Sequence, residues 1–161
     1  MNIFMKKDIM RRYNREECGK LDEQQTMDKF KQALRDHEDG TPQLFMYSLL
    51  DFSFEYDEQN EYVTVKAPIS DLMYNAIGYI HGGIITYIAD TAMGHLCAAF
   101  GDYPSVSLEL KTQFFRTAKT GELITKAYFL KKGKKVQFVE CTIQDDQGRL
   151  LSKVTGTFHS I

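Results

Sequence analysis

At 161 residues, with 43% hydrophobic and 26% charged residues, the chain has the composition of one ordinary globular domain with a modest core. A net charge of -2 provides no global basic field, which argues against nucleic acid as a partner. Cys18, Cys97 and Cys141 form no CxxC pair and read as reduced thiols; with no leader-like apolar stretch and no uninterrupted membrane-length run, the expectation is a cytoplasmic protein without a membrane partner.

From Lys6 to Glu38 the chain is highly charged, with Met10, Tyr13, Leu21, Met27, Phe30 and Leu34 at loose helical intervals and Gly19 breaking the run. Two short helices are expected there, packed across the rest of the molecule. Asp39-Gly40-Thr41-Pro42 ends them, so residues 1–42 are an N-terminal helical extension and residues 43–161 the main domain.

After that punctuation the apolar period becomes two. Phe52, Phe54 and Tyr56, the turn Asp57 to Asn60, and Tyr62 to Lys66 predict a β-hairpin. Pro68 ends it, and Ser70 is expected to cap a helical turn over Asp71 to Tyr74.

Gly82 to Phe100 predicts one helix about 28 Å long. Ile84, Ile85, Ile88, Ala89, Ala92, Met93, Leu96, Ala99 and Phe100 leave only a thin polar seam through Thr86, Asp90 and Gly94, so other structure must wrap it. A carboxylate in such a helix is costly unless it is paired or put to use. Four strand-like runs follow, Val106 to Phe115, Leu123 to Leu130, Val136 to Gln144 and Leu150 to His159, with turns short enough for consecutive antiparallel hairpins and too short for parallel crossovers. The order predicts an α+β domain whose antiparallel sheet curls around one long helix. It leaves a sheet face and edges for a partner subunit to cover.

Asn75-Ala76-Ile77-Gly78-Tyr79-Ile80-His81-Gly82-Gly83, with Asp90 in the following helix, closely resembles the hotdog-fold thioesterases of the phenylacetic-acid-degradation type, within the 4-hydroxybenzoyl-CoA thioesterase superfamily. The resemblance runs from about Phe52 to the C-terminus and implies an acyl-CoA thioesterase, a homodimer or dimer of dimers whose sites lie between subunits. Coenzyme A would enter as part of the substrate, with no cofactor. The residues agree with that chemistry: a helix starting at Gly82-Gly83 offers free N–H groups and a positive dipole end to a thioester oxygen. Asp90 lies roughly 12 Å further along the same helix, so one subunit does not supply both groups to one substrate.

By resemblance, Gly82 donates its N–H to the carbonyl, Asn75 and His81 shape that side, and Asp90 of the neighbouring chain is general base or nucleophile, with Ser107 near the acid. Gly83 belongs to the same loop. Arg116 and Lys119, and the turn of Lys131, Lys132, Lys134 and Lys135, align with the segments that meet the nucleotide of coenzyme A. Thr117 stands where relatives usually place Pro. His37, His95 and His159 lack partners at ligand spacing, so no metal site is expected. The alternative function is a non-catalytic acyl-CoA-binding or regulatory protein.

Overall fold

The computed structural model describes residues 20–39 and 44–161. Of the stretch expected to hold two short helices, Lys6 to Glu38, the residues up to Gly19 lie outside the described residues. Beyond them, Glu23–Glu38 is one continuous helix, α1, opened by a capping box in which Asp22 accepts from the Gln25 N–H and Gln25 reaches back to the Asp22 N–H. A second short helix, α2 at Phe45–Leu49, was not expected; it has no side-chain cap. The Phe30 ring of α1 meets Phe45 edge-on at 5.5 Å, Lys29 pairs with Asp51, and the Leu21 N–H donates to Asp71.

The hairpin forms as β1 (Ser53–Asp57) and β2 (Tyr62–Pro68). A single 3-10 turn follows at Asp71–Met73, but the Ser70 side chain does not cap it; the Ser70 carbonyl closes the turn by accepting from Met73. The long helix, α3, spans Gly82–Phe100 as predicted. Strands β3 (Ser105–Phe114), β4 (Glu122–Lys132), β5 (Val136–Asp145) and β6 (Leu150–Ser160) complete the domain.

All six strands join one antiparallel sheet in the order β1-β2-β4-β5-β6-β3. This corrects the expectation of consecutive hairpins from β3 onward, because β3 pairs with β6 and β4 pairs with β2. The cause lies in the connection. Phe115 and Arg116 donate to the Leu151 carbonyl, Ile80 donates to Ala118, and Ile69 donates to Gly121, so residues 115–121 are tied across the mouth of a curled sheet instead of folding back as a hairpin.

The sheet curls around α3, which touches β2, β3, β4, β5 and β6. Ile85, Ile88, Ala92, Met93 and Leu96 are buried against Val63, Val65, Leu123, Val139, Ile143 and Val154, whose side chains alternate onto the concave face. Burying each large aliphatic side chain is worth about 1.5–3 kcal/mol. This is the wrapped helix that the apolar run demanded. No described helix is long and apolar enough to cross a membrane.

Candidate active site

The loop before α3 is built by Asn75. Its Oδ1 accepts the N–H groups of Ile77 (3.0 Å) and Tyr79 (3.2 Å), while its own N–H donates to the Tyr79 carbonyl at 2.7 Å. Gly78 sits at φ +78°, where an L side chain is strained, and its N–H returns to the Asn75 carbonyl. Asn75 therefore spends its carbonyl oxygens on holding the loop shape.

His81 is the N-cap of α3. Its Nδ1 accepts from the Gly83 N–H at 2.8 Å, which in a neutral ring places the proton on Nε2. Ile84 and Ile85 donate to the His81 carbonyl. Of the first N–H groups of the helix, Gly82 alone is left without a hydrogen bond among the described residues. An N–H at the positive end of a helix, free and carried by a glycine, is suited to polarise a carbonyl oxygen. The Phe114 ring roofs this point: a Cβ on Gly82 would lie 3.1 Å from its Cζ.

Asp90 sits two turns on, half-buried, on the side of α3 that faces β3. The Ser107 hydroxyl on β3 lies near its carboxylate. Burial raises the Asp90 pKa above the ordinary carboxylate value, and the nearby Ser107 hydroxyl pulls part of that shift back. A carboxylate held above its usual range is a better proton acceptor at neutral pH. Next to Ser107 the β3–β6 register slips, leaving Leu108 as an extra residue bulged outward.

The positively charged candidates divide into two groups. Arg116 and Lys119 stand beside the Gly82 end: Lys119 lies over the Tyr79 ring at 4.5 Å, its carbonyl accepts from the Tyr74 hydroxyl, and Arg116 donates to the Leu150 carbonyl at 3.1 Å. Lys131, Lys132, Lys134 and Lys135 lie at the other end of β4, roughly 30 Å away along that strand. There Lys132 pairs with Glu61 at 2.7 Å. One chain thus gathers Asn75, His81, Gly82, Gly83, Arg116 and Lys119 at one pole, places Asp90 with Ser107 part-way along the helix, and leaves the lysine turn at the far pole.

Sequence reasoning missed two features here. Phe114 carries no motif of its own, because its place over Gly82 depends on strand register. A ring cluster also borders α3: His95 stacks on Phe54 at 4.3 Å and hydrogen-bonds through Nδ1 with the Tyr56 hydroxyl at 2.7 Å, and Tyr47 of α2 packs on Phe52, Phe54 and His95. Burial lowers the His95 pKa, keeping the ring neutral. These rings come from three separate elements, so no local spacing announces them.

Comparison with known proteins agrees with this architecture. Residues 77–152 match the model of the thioesterase superfamily. Human acyl-coenzyme A thioesterase 13 is 33% identical over 89 residues, which are 53% of this chain and 63% of that protein. A Thermoplasma acidophilum protein named as an esterase is 25% identical over 111 residues, 68% of this chain and 83% of its own length. A Bacillus halodurans protein crystallised with CoA superposes with a TM-score of 0.77 at 23% identity, covering 88% of this chain and 95% of that one. Residues 77–152, which carry most of the loop, helix and strands of the candidate site, are similar to the thioesterase superfamily, and the long helix inside an antiparallel sheet is the hotdog fold of the solved thioesterases.

Proposed function

We propose that the chain is an acyl-CoA thioesterase of the phenylacetic-acid-degradation type, working as a homodimer in which Gly82 of one copy and Asp90 of the other complete each site. The observation that carries this reading is the pair of contacts at the two ends of β3. Ser107, near its start, lies beside Asp90 and lowers its pKa; Phe114, its last residue, covers Gly82. Antiparallel pairing of β3 with the β3 of a second copy about a two-fold axis near Leu110 and Lys111 sets Ser107 opposite Phe114 of the other chain. Asp90 then faces the Gly82 of its neighbour, and the roughly 12 Å along one helix no longer separates them. The same two-fold brings the lysine turn of the second copy to the side of Arg116 and Lys119, where the phosphates of coenzyme A would lie.

In this arrangement the thioester oxygen accepts from the Gly82 N–H as negative charge develops on it. His81 positions that N–H by anchoring the next one, and Asn75 holds the loop that presents it. Asp90 either takes a proton from water as water attacks the carbonyl carbon and the coenzyme A thiolate leaves, or attacks directly, expelling that thiolate to form a mixed anhydride that water then hydrolyses; both routes end in free acid and the coenzyme A thiol. The test is release of thiol from a panel of fatty-acyl- and aryl-CoA esters by purified protein. Turnover that Asp90→Asn reduces by about 10²–10⁴-fold is expected. Tight binding with no turnover would show a binding protein instead.

A further inference from the structure

Phe114 is an apolar ring that the fold holds firmly without covering it. It is 54% exposed, yet the backbone on both sides is pinned: the buried Ser152 hydroxyl donates to the Gln113 carbonyl at 2.7 Å, and the Phe115 N–H donates to the Leu151 carbonyl at 2.8 Å. A pair of hydroxyls also ties this strand to the start of α3. Thr86 donates to the Gly82 carbonyl at 3.1 Å and accepts from the Thr112 hydroxyl at 3.2 Å; Thr112 lies two residues before Phe114 on the same face of β3.

The ring meets Gly82 by its tip. From the Cβ position of Gly82 the nearest atoms are Cζ at 3.1 Å, Cε1 at 3.4 Å and Cε2 at 3.6 Å. The Cβ direction and the free N–H of a first helical residue both lean toward the helix N-terminus, so the tip stands on the side to which the Gly82 N–H points. An aromatic ring is negative on its faces and positive around its edge.

We propose that Phe114 is a further residue of the carbonyl-binding site, turning its positive edge to the oxygen held by the Gly82 N–H and keeping water off that hydrogen bond. This rests on the thioesterase reading. A carbonyl oxygen within reach of the Gly82 N–H lies beside the ring tip. As that oxygen gains negative charge, the edge and the low local dielectric favour it more in the transition state than in the bound ester, so the contribution falls on kcat. A ring that only gripped the coenzyme A arm would act on KM.

The test measures kcat and KM for full-length wild type, Phe114→Leu and Phe114→Ala on acetyl-, decanoyl- and benzoyl-CoA, with the oligomeric state followed on a sizing column. On the ester that wild type hydrolyses fastest, Phe114→Ala is expected to lower kcat about 10-fold with KM within about threefold of wild type, a smaller loss than that of a whole helix-end donor. Phe114→Leu, which keeps apolar cover but has no positive edge, is expected to fall between the two. An unchanged kcat in Phe114→Ala overturns the proposal, and so does a loss confined to KM. The ring is exposed at the end of a strand, so its truncation leaves the core intact. A kcat loss that comes only with dissociation on the column also overturns the proposal, because the ring then acts through the subunit interface. A wild type that hydrolyses none of the three esters defeats the thioesterase reading itself, a result distinct from an active wild type indifferent to residue 114.

Discussion

The two edges of the sheet differ sharply. Strand β1 is five residues long, carries Glu55 and Asp57, and is packed at its start by Tyr47 from α2 through Phe52 and Phe54. Strand β3 is ten residues long, bulged at Leu108, and exposes Val106 and Leu108 at 45% and 62%. Short, charged, covered edges resist pairing with another chain, whereas long bare ones invite it. The bare edge is also the one whose residues touch Asp90 and Gly82. The chain closes itself on one side and leaves open the side on which both halves of the proposed site lie.

The largest effects should come from the two halves themselves. Gly82→Pro removes the helix-end donor: proline suits the first helical position, the extended backbone of His81 (φ -70°, ψ 131°) is what a residue before proline adopts, and the Phe114 ring, 3.1 Å from the new Cβ, must give way slightly. Loss of that N–H should lower kcat by about 10²–10³-fold with the helix intact by circular dichroism. Asp90→Asn should cost at least as much and raise the melting temperature. The folded pKa of Asp90 is raised, so its favourable contribution exists at low pH and is lost as pH rises through that value; at neutral pH the buried anion weakens the fold. An Asp90→Asn protein less stable than wild type at neutral pH contradicts this electrostatic account.

Next in size is the edge contrast. Leu108→Lys on β3 should dissociate the protein on a sizing column and remove most activity, whereas Glu55→Lys on β1 should leave the assembly intact. Equal behaviour of the two variants breaks the comparison. A smaller effect is expected from Ser107→Ala. Its hydroxyl lowers the Asp90 pKa, so its loss should shift the acid limb of the kcat/KM profile to higher pH. The smallest lies in the core, where the Thr125 hydroxyl is buried without a partner among the described residues; Thr125→Val should stabilise the fold by about 1 kcal/mol in denaturant titration without changing kcat.

Much of this was legible in the chain. The long helix was readable to its last residue because a glycine pair and Gly101 bound an apolar run too continuous for a surface helix. The Asn75 to Gly83 loop was readable because its hydrogen bonds are local, made between an Asx side chain and the next few backbone N–H groups. The sheet order was not readable at β3, since turn length reports local folding and the curl around α3 decides which strand the chain reaches next. The five residues of α2 have no side-chain cap and too little length to show a period. For the site, the residue types were visible while their relations were not: Phe114 over Gly82 and Ser107 on Asp90 are products of register.

Subunit complementation tests the central claim, that each site is shared between two chains. Asp90→Asn and Gly82→Pro proteins, each inactive alone, are mixed, dissociated and reassembled. A shared site predicts that every mixed dimer carries one undamaged site, restoring about a quarter of wild-type activity after random reassortment. A site contained within one chain leaves a lesion in every site, and mixtures no more active than the separate variants would contradict the account.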